Sequence, residues 1–197
     1  MRKYEYLIFA TGAATLALEV LASRIMTPYF GVSLYIWTGI LSITLAFLAL
    51  GYHLGGSISR RADRASLEGL FLAAPVLSVI SIAIAAAVYP VLFPSLSQFN
   101  LIVGSFAGAT LLLALPLIAL SAMNPLLIGL QRAHTEAGGD ASSGDAGAGR
   151  VFFISTVGSV AGVLLTAFLF IPNMTNFRAV LTLALVLCAL VALYSLA

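Results

Sequence analysis

Six apolar runs of bilayer-spanning length follow one another along this chain, separated by polar links, and the first run carries a carboxylate well inside it. A helix needs about 20 apolar residues to cross the hydrocarbon core. Runs of that length fall at about 6–28, 35–58, 69–92, 101–131, 151–171 and 177–196. Inside a bilayer every backbone N–H and C=O must find a partner within the protein, so such runs fold as helices. Charged residues make up 8% of the chain and hydrophobic ones 61%, whereas soluble domains carry about 25% charged residues. The sequence therefore predicts an all-α, polytopic membrane protein: one domain over 1–197 with six transmembrane helices, whose first partner is the lipid bilayer.

Arg2-Lys3 ahead of an apolar run also has the form of a signal peptide, with Val20-Leu21-Ala22 as its cleavage motif. The length of the run and the five spans behind it favour a retained helix. Orientation follows from Lys and Arg in the short loops. With the N-terminus in the cytoplasm, Arg2, Lys3, Arg60, Arg61, Arg64, Arg132 and Arg150 lie on the inner side, and Arg24 and Arg178 on the outer. This bias places both termini in the cytoplasm of a multi-pass protein of the cell membrane. The stretch 133–149, rich in Gly, Ala, Ser and Asp, is expected to be a flexible cytoplasmic linker.

At an offset of 97, Phe9-Ala10, Leu16-Ala17-Leu18, Ala22, Met26 and Pro28 match Phe106-Ala107, Leu113-Ala114-Leu115, Ala119, Met123 and Pro125. The match pairs span one with span four. Three spans is an odd number, so the second triplet would lie inverted, a three-plus-three repeat resembling half of a major-facilitator transporter.

Chemistry is sparse. Cys188 sits alone in an apolar run, no His/Cys/Asp/Glu cluster has metal-ligand spacing, and the basic residues sit at membrane edges rather than on one face. No metal, cofactor or nucleic acid is expected. Glu19 stands out because a mid-bilayer charge costs about 3 kcal/mol even on lenient scales. Thr11, Thr15, Glu19 and Ser23 follow at i+4 and form one polar stripe on span one. Arg24 lies about 140° round the helix from Glu19, so the two do not stack simply.

Depth sorts the remaining polar residues into two layers. The outer one holds Glu19, Arg24, Thr38 and Ser42; the inner one holds His53, Asn124, Ser155 and Thr156. The candidate ligand or proton sites are thus Glu19, Arg24, Thr38, Ser42, His53, Asn124 and Ser155, with inter-helix hydrogen bonding as the plainer role for most of them. Gly51-x-x-x-Gly55 and Gly158-x-x-x-Gly162 are helix-packing motifs. Pro75, Pro116 and Pro125 are expected to free the carbonyls of Phe71, Leu112 and Ser121.

Glu19-Val20-Leu21-Ala22-Ser23-Arg24, Phe30-Gly31-x-Ser33-x-Tyr35, Ala49-Leu50-Gly51-Tyr52-His53-Leu54-Gly55-Gly56 and Gly149-Arg150-Val151-Phe152-Phe153-Ile154-Ser155-Thr156-Val157-Gly158-Ser159-Val160-Ala161-Gly162 resemble the spermidine-synthase-like membrane proteins, often called fused major-facilitator/spermidine synthase proteins. The resemblance extends to Leu115-Pro116, Pro125-Leu126-Leu127 and Ile171-Pro172, covering all but the last span. It departs at Met123-Asn124-Pro125, where the family has Thr-Leu-Pro, and at Ser155, where it has Asn. The resemblance implies a membrane domain joined to an aminopropyltransferase-type domain. No Gly-rich loop with a following acid and no paired catalytic Asp stands in this chain, so by itself it is not expected to perform that transfer.

Three readings follow. The leading one is a transport or ligand-handling module for polyamine-like cations or related small metabolites, working as a homodimer or with a partner chain. The second is a membrane anchor for a separate soluble synthase-like subunit. The third is an assembly subunit without a ligand.

Overall fold

A computed structural model describes residues 2–98, 100–136 and 144–196. Every regular element among them is helical: α1 (Arg2–Phe30), α2 (Leu34–Ser59), α3 (Arg64–Leu96), α4 (Leu101–Glu136), α5 (Gly144–Leu165), a π-helical stretch (Thr166–Phe170), α6 (Ile171–Asn173) and α7 (Asn176–Leu196). Six helical segments are long and apolar enough to cross a membrane, with α5, the π stretch and α6 acting as one of them. The chain is thus a multi-pass, all-helical membrane protein.

The ends of the elements follow local chemistry. Gly31 closes α1 with φ +79°, a left-handed conformation that glycine adopts without a Cβ penalty. Its N–H returns to the Thr27 carbonyl at 2.9 Å. Ser33 then caps α2, its hydroxyl accepting from the Ile36 N–H at 3.3 Å. Three residues therefore suffice to reverse the chain. Pro28, Pro75, Pro90, Pro94, Pro116 and Pro125 all lie within continuous helices, so α1, α3 and α4 bridge their lost donors rather than ending there. Near Pro172, by contrast, the ladder widens, and the Ile171 N–H donates to the Thr166 carbonyl five residues back.

The linker expected over 133–149 is shorter than its composition suggested. Helix α4 runs on to Glu136 and α5 begins at Gly144, leaving 137–143 outside the described residues. Extending an existing helix needs no new nucleus, so the ends of α4 and α5 run into this stretch despite its glycines.

Helices α1 and α4 form the centre. Helix α2 packs along α4, α5 along α1, and α3 and α7 close one side by packing on each other and on the central pair. Exchanging the first three spans for the last three maps these pairings onto themselves: α2–α4 becomes α5–α1, α3–α4 becomes α7–α1, and α1–α2 becomes α4–α5. Gly158 of α5 rests on the Phe9 backbone, and Gly39 of α2 rests on the ring of Phe106, the repeat mate of Phe9. Met26 and Met123, another repeat pair, are both fully buried.

Close packing on the two sides depends on glycine. A Cβ at Gly158 or Gly162 would overlap the carbonyls of Phe9 and Ala13 on α1. A Cβ at Gly51 would overlap Ser121 of α4, and at Gly55 it would stand 2.5 Å from the Ala122 carbonyl oxygen. Backbone-to-backbone approach of this kind gives van der Waals contact where lipid removes any hydrophobic drive for helices to associate. Aromatic clusters fasten both ends: Tyr4 with Phe71 and Tyr194 at one, and Tyr29, Phe30 and Tyr89 around Phe93 at the other.

Candidate functional site

The polar stripe on α1 divides on folding. Thr11 and Thr15 are buried and turn inward on their own helix, donating to the carbonyls of Ile8 at 3.1 Å and Thr11 at 2.8 Å. Ser23 donates to the Val20 carbonyl at 3.1 Å. Each hydroxyl donates its proton within its own helix, which suits a helix interior in lipid. Glu19 alone in the stripe is half-buried with no ion pair and no hydrogen bond among the described residues.

Arg24 does not pair with Glu19. Its guanidinium donates to the Met174 carbonyl at 3.1 Å, in the extended link between α6 and α7. The cause is the angle: five residues along a helix turn Arg24 about 140° away, toward the α6–α7 link. A helix that ends at Asn173 leaves carbonyls without donors, and Arg24 supplies one. The bond ties α1 to the α6–α7 link. Arg24→Met is expected to lower stability by about 1.5–3 kcal/mol, the worth of a charged hydrogen bond. Thermal unfolding in detergent checks this.

Thr38 and Ser42 are exposed on α2, and no hydrogen bond joins them to Glu19. Ser42, Ala46, Ala49 and His53 do share one helical face as their spacing predicts, and all four are exposed. That face turns away from the rest of the chain, which removes His53 from the inner polar group. Thr156 is likewise exposed and bonds back to the Phe152 carbonyl at 2.8 Å.

Asn124 and Ser155 do meet. Buried Asn124 on α4 donates from its side-chain nitrogen to the Ser155 hydroxyl on α5 at 3.3 Å. Tyr52 of α2, which the pattern of small and polar residues did not single out, joins them. Its hydroxyl neighbours the Asn124 side chain, and its ring meets that of Phe152 edge-on with centroids 6.1 Å apart. Three helices are latched here, at the end that carries Arg60, Arg61, Arg64, Arg132 and Arg150. One turn further along α5, the Ser159 hydroxyl donates to the Gly12 carbonyl of α1 at 3.0 Å. A tyrosine adjoining a histidine within an apolar span was the available signal for Tyr52.

The Cα of Ser155 stands 3.1 Å from where a Cβ on Gly12 would lie, so the latch sits level with Gly12. Glu19 is seven residues further along α1, about 10 Å toward the other end. The molecule thus has a polar latch at its basic end and an unpaired carboxylate beyond it. Asn124→Ala is expected to cost about 0.6 kcal/mol and at most about 1.7, typical of hydrogen bonds between membrane helices. A double-mutant cycle with Tyr52→Phe should show coupling between the two.

Among the described residues no three His, Cys, Asp or Glu side chains converge as metal ligands, and Cys188 is exposed and unpaired. No protein-family model, curated protein or solved structure matches the chain.

Proposed function

We propose that the chain is a membrane module that takes small organic cations of the polyamine type through one half of a transport path, with Glu19 as the cation site. The observation that carries this reading is the state of Glu19: a carboxylate in a spanning helix, half-open, with no internal partner among the described residues. An intramembrane ionisable group is expensive, and the default account of one that persists is function. A cation offers what the protein does not, a counter-charge. The Tyr52–Asn124–Ser155 latch then serves as the closure on the basic side, and that side is cytoplasmic by the distribution of Lys and Arg. The exchange symmetry of the packing supports kinship with half of a major-facilitator transporter, and the spermidine-synthase-like motifs direct attention to polyamines.

The test is uptake of labelled spermidine into proteoliposomes containing the purified protein, with a neutral sugar of similar size as control. Saturable uptake of the cation alone is the expected result. Equal leakage of both solutes, or none of either, would sink the proposal.

A further inference from the structure

A cavity of about 460 Å³ opens at the basic end, between the last turn of α2, the start of α3 and the end of α4. Its wall combines two chemistries. Arg60, Arg132 and Ser59 line it together with Ala62, Leu67 and Ile128. Gly129 makes the junction possible, because a Cβ there would stand 2.7 Å from the Ser59 Cβ and hold α2 and α4 apart. With glycine at that position, arginines from two different helices share one space.

Among the described residues the neighbouring carboxylates have other partners. Glu68 pairs with Arg64 at 3.3 Å. Asp63 accepts from the Ser66 hydroxyl at 2.6 Å, which holds its carboxyl below the usual range at the start of α3. Arg60 makes one side-chain contact, to the Ser57 hydroxyl at 3.4 Å, and among the described residues no carboxylate pairs with Arg60 or Arg132. Among the described residues the site therefore offers two guanidiniums with no carboxylate paired to them, beside apolar side chains, at the level where spanning helices emerge from hydrocarbon.

We infer that this cavity binds the phosphate of a phospholipid of net negative charge, gripped by Arg60 and Arg132, with the first part of an acyl chain against Ala62, Leu67 and Ile128. Guanidinium forks match phosphate oxygens in pairs. The apolar wall selects a lipid over a soluble phosphate, which would leave that wall against water. Basic pockets between membrane helices are a recognised setting for such headgroups. The inference stands apart from the role of Glu19.

Native mass spectrometry of the purified protein in an equimolar mixture of phosphatidylglycerol and phosphatidylcholine tests it. The native protein is expected to retain phosphatidylglycerol about tenfold over phosphatidylcholine. Arg60→Gln with Arg132→Gln should bring the ratio near one. Ala62→Trp, which fills the cavity while keeping both arginines, should do the same, and it carries the test alone if the double substitution yields no folded protein. Arg150→Gln, at an arginine paired with Glu5 at 3.0 Å, should leave the ratio intact. An unaffected Ala62→Trp protein, or equal loss in Arg150→Gln, would mean diffuse surface charge and overturn the site. Displacement of the lipid by millimolar inorganic phosphate would make it a soluble-anion site and overturn it as well.

Discussion

A leucine at Gly162 is expected to separate α1 from α5 and to abolish most of the folded population. The Cβ of residue 162 would stand 2.6 Å from both the carbonyl carbon and the Cα of Ala13, and these are backbone atoms with no rotamer by which to withdraw. Gly158 meets the Phe9 backbone in the same way, so the two positions act as one contact patch. Overpacking in a rigid interface costs about 1–3 kcal/mol for added methylenes alone. Separation of the helices would further remove the Ser159–Gly12 hydrogen bond and strain the Asn124–Ser155 latch. The expected total exceeds about 3 kcal/mol, a large part of a marginal stability. Thermal unfolding in detergent measures it. Gly56→Leu provides the control: nothing lies within 4 Å of a Cβ there, and its effect should stay within about 0.5 kcal/mol. Equal losses at Gly56 and Gly162 would show that leucine itself, not helix contact, is the cause.

Glu19→Gln is expected to move function and stability in opposite directions. In the proposed role, loss of the charge removes the counter-ion for an ammonium group, worth about 1.5–3 kcal/mol, so spermidine affinity should fall about tenfold or more. The same change removes an uncompensated charge from a spanning helix, whose cost there is about 3 kcal/mol, so the protein should be as stable as the native one or more so. Glu19→Asp should keep part of the binding. A structural pairing of Glu19 with Arg24 predicts the reverse, destabilisation on neutralising either residue. The observed bond from Arg24 to Met174 argues against that pairing. Melting curves together with proteoliposome uptake on the same preparations separate the two outcomes.

Much of the fold is legible in the residues. Long apolar runs in a medium without water have one solution, so span number and helical class follow from hydropathy. The small-residue spacing at Gly51, Gly55, Gly158 and Gly162 pointed to close contacts, and all four make them. The site is less legible. Spacing along one helix tells which residues share a face, as for Ser42, Ala46, Ala49 and His53, but not whether that face looks inward. All four are exposed. Depth counting brought Asn124 and Ser155 to one level correctly, and also placed Thr38 and Ser42 beside Glu19, where no bond joins them. Tyr52 was passed over because a tyrosine in an apolar span reads as bulk until its hydroxyl has a neighbour.

By itself the sequence determined the class, the six spans and the cost of placing a carboxylate on α1, because each depends on local chemistry and the solvent. Only the tertiary structure decided which helices are neighbours. That choice sends Arg24 to the Met174 carbonyl, joins Asn124 to Ser155 and Tyr52, and brings Arg60 and Arg132 to one cavity. The physical reason is rotation. Each residue turns a helix by about 100°, so side chains a few positions apart point to different neighbours. Which neighbour stands there is settled by packing between segments distant in the chain. Glu19 is the residue to which that packing assigned no partner among those described.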